Sequence, residues 1–153
     1  VSVSPSLARH KLYAKLSCGG TTIEAFPTCA EVAWFLIAMA EEGVAFKATA
    51  GLHHPIRRTD PATGFPMHGF VNLLTASLLA CAGDDAAVEE ALADEDAAAF
   101  AFEGAHLRWR DHRFDAAQIA QTRRTGFVGY GSCSFAEPVA DLTGMRVLEA
   151  ARA

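Results

Sequence analysis

The sequence predicts an α/β fold built of βαβα units with parallel strands, followed by a C-terminal hairpin and helix. Three observations carry that expectation. Lys15-Leu16-Ser17-Cys18-Gly19 and Lys47-Ala48-Thr49-Ala50-Gly51 repeat one Lys-x-Ser/Thr-x-Gly pattern 32 residues apart. Each copy is followed by a loop, a Phe-Pro pair (Phe26-Pro27, Phe65-Pro66) and an apolar stretch. The connection between the copies, about thirty residues long, is that of a βαβ unit, whose crossover is right-handed.

Residues 12–17 and 44–49 read as short strands buried on at least one face. Side chains alternate across a strand, so Lys and Ser/Thr of each copy share one face and the apolar residues between them take the other. The spacing predicts a helix over 29–42. Thr28 and Glu31 form a capping box, Val32, Phe35, Leu36 and Met39 fall at helical intervals, and Gly43 supplies the stop. A second helix over about 67–82 ends at Gly83 and is apolar nearly all round (Val71, Leu73, Leu74, Leu78, Leu79), which places it between layers. The acidic, Ala-rich stretch 84–99 reads as one or two exposed short helices. Residues 100–110 alternate around Gly104 as a hairpin, with His106, Arg108, Trp109 and Arg110 on a half-exposed strand. Asp115 with Gln118 opens another helix to about Arg124. The last ordered piece is 127–135, and beyond Pro138 the pattern is weak.

Composition narrows the function classes. At 153 residues the chain is read as one domain, 1–153, large enough for a single core, and 51% hydrophobic content places it among globular proteins. Net charge is −5, with three lysines against ten scattered arginines, which speaks against a nucleic-acid face. The longest apolar run, residues 32–40, is too short to cross a bilayer, and Val1-Ser2-Val3-Ser4-Pro5 lacks the pattern of a signal peptide, so no membrane role is expected. Cys18, Cys29, Cys81 and Cys133 show no C-x-x-C spacing; reduced thiols and a cytoplasmic location are the expectation. Two buried strands and an apolar helix leave more hydrophobic surface than the remaining short elements cover. That predicts a homo-oligomer, with helix 67–82 or hairpin 100–110 at the contact.

The candidate site lies at the C-terminal ends of strands 12–17 and 44–49, where α/β folds place ligands. Two lysines on one face of adjacent strands repel, and burial of either would make it a nucleophilic amine; solvated strand ends paired with carboxylates are the plainer account. The loop 51–66 is long and carries His53, His54, Arg57, Arg58 and Asp60, with His68 just beyond. Its histidines suit acid–base work or metal ligation, although no spacing here matches a known ligand pattern. Gly129-Tyr130-Gly131-Ser132-Cys133-Ser134 can form an anion-binding nest, or simply tight turns, and Cys133 becomes a candidate nucleophile if a histidine stands near it.

The repeat resembles two successive units of a (β/α) barrel. A complete barrel takes about 250 residues, so the chain would supply only part of one. The 47–55 and 131–135 stretches are similar to the C-terminal half of an uncharacterised bacterial protein family of about barrel length. Lys47-Ala-Thr-Ala-Gly51 resembles the Lys-Thr-Ser-Thr-Gly strand of deoxyribose-phosphate aldolases, and Lys15-Leu-Ser-Cys-Gly-Gly20 their neighbouring Lys-x-x-Gly-Gly strand. That resemblance implies a Schiff-base role for Lys47, a tuning role for Lys15 and phosphate binding by the glycines. The two motifs stand here in the opposite order.

The leading expectation is therefore an enzyme on a small anionic or carbonyl metabolite, lysine-dependent lyase chemistry being its sharpest form. Lys47, Lys15 and His53 would be catalytic. Ser17, Gly19, Gly20, Thr49, Gly51, His54, Arg57 and Ser132 would bind the ligand, with no cofactor or metal called for. The alternatives are a metal-dependent hydrolase using His53, His54 and His68, and a non-catalytic ligand-binding or structural dimer.

Overall fold

In the computed structural model, which describes residues 12–147, both copies of the repeat are strands and lie side by side. β1 (Ala14–Ser17) and β2 (Phe46–Thr49) are parallel, in the register Lys15↔Lys47, Leu16↔Ala48 and Ser17↔Thr49. Helix α1 (Cys29–Glu42) joins them. Thr28 accepts from the Glu31 backbone while the Glu31 carboxylate accepts from the Thr28 backbone, and Gly43 ends the helix in the left-handed conformation. After β2 a loop holds a two-residue antiparallel ribbon, β3 (Arg58–Thr59) with β4 (Pro66–Met67). Helix α2 (Phe70–Ala82) and helix α3 (Asp85–Ala93) follow. Next comes an antiparallel meander of β5 (Phe100–Glu103), β6 (His106–Trp109) and β7 (His112–Phe114). Helix α4 (Ala116–Thr125), opened by the Asp115–Gln118 capping box, leads into β8 (Phe127–Tyr130), and helix α5 (Ala136–Gly144) follows.

β8 returns to pair in parallel with β2, giving the order β1-β2-β8. Among the described residues the result is a mixed α/β fold with five helices and a three-stranded parallel sheet that does not close. The barrel-like period thus stops after two strands: the chain past α2 forms α3, the meander and α4 before it rejoins the sheet. Helices α1 and α2 cover the face that carries Leu16, Phe46, Ala48 and Phe127. The lysine face stays open, with Lys15, Ser17 and Lys47 exposed.

Several local expectations change. The second helix begins at Phe70, because Phe70 and Val71 N–H groups donate to the carbonyls of His54 and Pro55, and the residues before it form β4. Its apolar surface is buried internally against α1, α3, α4 and β8, so it presents no face for a partner copy. Segment 84–99 is not merely exposed: α3 buries Ala87, Val88, Ala91 and Leu92. The hairpin gains a third strand, β7, through a turn with Arg110 at φ 49°. Segment 136–144 is helical, with Pro138 in the first turn, where its missing N–H costs nothing. Residues 23–42 are long and apolar enough by composition to span a bilayer. The α-helical part is only 14 residues, about 21 Å, and it buries Val32, Ala33, Leu36 and Met39.

Candidate active site

The strand order places the loop after β2 beside the segment after β8. Between them lies a cavity of about 500 Å³ at the C-terminal end of the sheet, bordered by Thr49, Gly51, His53, Met67, Ser132 and Cys133, with Gly20 and Phe26 at its rim. This is where the sequence places the site, but not all of the expected residues meet there.

Cys133, exposed, lies 3.5 Å from His53 Nε2 and 3.8 Å from Nδ1. His53 Nδ1 in turn lies 3.2 Å from the Glu137 carboxylate. A carboxylate can only accept, so Nδ1 carries the proton and Nε2 keeps its lone pair. Thiol, imidazole and carboxylate in that chain of contacts make a nucleophile, a base and an orienting group. The sulfur is nearly equidistant from the two ring nitrogens, beside the ring and off the line of the Nε2 lone pair, so a turn of the imidazole has to precede proton transfer. Cys133 differs sharply from Cys18, which is fully buried and whose thiol burial pushes up to about 12. The contrast marks which cysteine is inert.

Backbone geometry around the cavity is unusual. Ala50 and Gly51 both take positive φ, 60° and 67°, directly at the end of β2. A non-glycine residue there is a strained one, and such positions cluster at functional sites. A Cβ on Gly51 would stand 2.7 Å from the Cys18 carbonyl oxygen, and one on Gly19 3.0 Å from the Gly51 Cα. Gly19, fully within the fold, and Gly51 therefore let two strand ends touch; Gly20, Gly51 and Gly131 border the cavity and Gly19 does not.

The lysines take the side expected of them and stand away from the cavity. Lys15 and Lys47 are cross-strand partners on the exposed sheet face, so the burial that would yield a nucleophilic amine is missing. Ser17 Oγ donates to the Gly19 carbonyl and Thr49 Oγ1 to the Leu16 carbonyl, each at 3.4 Å. His54 turns away from His53 and meets Asp141 at 2.6 Å, as adjacent side chains do. Arg57 and His54 border a second cavity between the loop and α5. His68 is fully buried, with Nε2 2.7 Å from the Pro27 carbonyl and Nδ1 3.3 Å from Arg57, so both its nitrogens are engaged away from His53 and His54. Burial pushes its imidazole below the ordinary value, against the Pro27 hydrogen bond and with the Arg57 charge adding to the push. Among the described residues no three metal-ligating side chains converge so as to hold one ion.

Glu137 is the member of the candidate site that sequence reasoning misses. Its signal is faint, since the contact to His53 spans 84 positions and the helix that carries it opens with a proline at its third residue. The likeness to aldolase strands rests on the two lysine motifs alone. No family model, curated protein or solved structure matches this chain.

Proposed function

We propose that the chain is a cysteine-dependent enzyme acting on a small acyl compound at the C-terminal end of its parallel sheet. The observation that supports the reading is the Cys133–His53–Glu137 chain of contacts on the wall of a cavity. His53 Nε2 takes the thiol proton, and the thiolate sulfur attacks the carbonyl carbon. The developing oxyanion is met by backbone N–H groups; those of Ser132 and Cys133 have no acceptor among the described residues. Collapse of the tetrahedral adduct expels the leaving group, which takes the proton back from His53. Water, deprotonated by the same imidazole, then releases the acid and restores the thiol. Phe26, Met67 and Ala50 suit a short apolar acyl group, because His53 is the only ionisable side chain on the wall other than the thiol itself.

The test uses short-chain aryl esters and thioesters. Cys133→Ala should abolish turnover and acyl-enzyme formation by mass spectrometry, and His53→Gln should cut kcat/KM by about 100-fold or more while the fold is retained. Turnover that survives in Cys133→Ala overturns the reading.

A second reading keeps the lysines, because the register makes Lys15 and Lys47 direct cross-strand partners on one face of the sheet. Borohydride trapping with a pool of small aldehydes separates the two. Adduct on Lys47 favours Schiff-base lyase chemistry, and its absence beside an acylated Cys133 favours the thiol.

A further inference from the structure

The second cavity, between the loop after β2 and helix α5, has no part in the thiol chemistry and encloses about 400 Å³. Its most unusual component is Arg57. The side chain is only 15% exposed, yet the nearest carboxylate, on the exposed Glu95, stands 3.7 Å from Nε, beyond hydrogen-bond distance. A guanidinium has five N–H donors. One of them, on Nη1, reaches His68 Nδ1, and no other acceptor meets the rest among the described residues.

This arginine is supported from three sides. Its backbone N–H donates to Asn72 Oδ1 at 2.8 Å, and the fully buried Asn72 is itself held by donating to the carbonyls of Ala91 and Asp94. His68 donates from Nε2 to the Pro27 carbonyl, which forces Nδ1 to be the acceptor that fixes the guanidinium. Gly69 lets the loop lie against the helix, since a Cβ there would come within 2.6 Å of Arg57 N and 2.4 Å of the Pro55 carbonyl. A buried histidine and a buried asparagine spent on positioning a cation whose nearest carboxylate, on the exposed Glu95, stands out of hydrogen-bond reach is an arrangement built for a ligand.

We propose that Arg57 and Arg58 form a binding site for the carboxylate of a small organic acid, separate from the Cys133 site. The planar fork of Arg57 matches a carboxylate bidentately, and Arg58, exposed and on the same cavity wall, adds charge. The remaining wall is largely apolar, through Ile56, Ala97, Ala140 and Met145, which fits a hydrocarbon tail better than a free inorganic anion. Of the two acids on the wall, Asp141 is already engaged by His54, and Glu95 is the residue an incoming carboxylate would displace from Arg57.

Isothermal titration calorimetry of the intact chain at constant ionic strength tests this, with valerate as probe and 1-pentanol, inorganic phosphate and chloride as comparisons. Valerate should bind saturably. Arg57→Lys, which keeps the charge and removes the fork, should weaken it about tenfold or more, and Arg58→Gln less. Loss of affinity in Arg57→Lys separates this site from the Cys133 cavity, which Arg57 does not line. Absence of saturable valerate binding overturns the proposal, as does equal binding of pentanol, a preference for phosphate, or unchanged affinity in Arg57→Lys with an unchanged melting temperature.

Discussion

His68 shows how one side chain links sequence, packing and stability. Burial holds the imidazole neutral, and its two hydrogen bonds require a single tautomer. Its folded-state pKa lies below the unfolded value of about 6.5. Between the two the unfolded chain binds a proton that the folded chain refuses, so stability rises with pH across that window and falls as pH drops below about 6.5. The stability difference between wild type and His68→Gln should therefore narrow on acidification. Urea midpoints of both proteins at about pH 7.5 and about pH 5 check it, and parallel shifts would sink the argument. The sequence offers His68 as a possible ligand because histidine at a loop–helix junction reads the same whether it serves a ligand or a carbonyl. Asn72 was hidden differently: within an apolar helix a lone amide carries no periodic signal, although its three hydrogen bonds tie Arg57 to the segment after α3.

At the scale of elements, α5 is the piece least secured by packing. It buries only Pro138, while Phe135 and Val139 are exposed at 85% and 51%. Leu142 packs partly buried against the core, and a pair of contacts one helical turn apart, Glu137 to His53 and Asp141 to His54, adds to that hold. Partly exposed pairs of this kind are worth about 1 kcal/mol or less each, so the helix should open locally well before the sheet unfolds. Glu137→Ala with Asp141→Ala should raise amide exchange across 136–144 strongly, shift the melting temperature little, and slow alkylation of Cys133. Exchange protection that persists in the double variant would show that α5 is held by something else. The helices that sequence reading bounds best are those with reciprocal caps, 29–42 and 116–125, because a cap is a local signature, whereas the uncapped helix expected over 67–82 begins three residues later. Helix α5 lacks a side-chain cap and starts on Phe135, so nothing local announces it.

For the molecule as a whole, the site exists because β8 comes back to β2 from far along the chain, Phe127 pairing with Phe46. The 32-residue period made β1 and β2 legible, whereas β8 follows no lysine motif and is recognised only by what it packs against. That packing is aromatic: Phe127 stacks on Phe46 at 5.4 Å, and Phe46 meets Phe35 edge-on at 5.2 Å. Phe127 is 2% exposed, so Phe127→Ala should cost about 3–5 kcal/mol, a large share of the 5–15 kcal/mol typical of a domain. Undocking β8 also carries Cys133 away from His53. The urea midpoint and the rate of Cys133 alkylation should therefore fall together in Phe127→Ala, with a weaker counterpart in Phe127→Leu should the alanine variant not fold. Glu137→Gln, which touches only the imidazole, should lower the alkylation rate and leave the midpoint in place. If Phe127→Leu lowers the midpoint while Cys133 keeps its wild-type reactivity, the thiol does not depend on the return of β8, and the Cys133–His53 pairing is not what activates it.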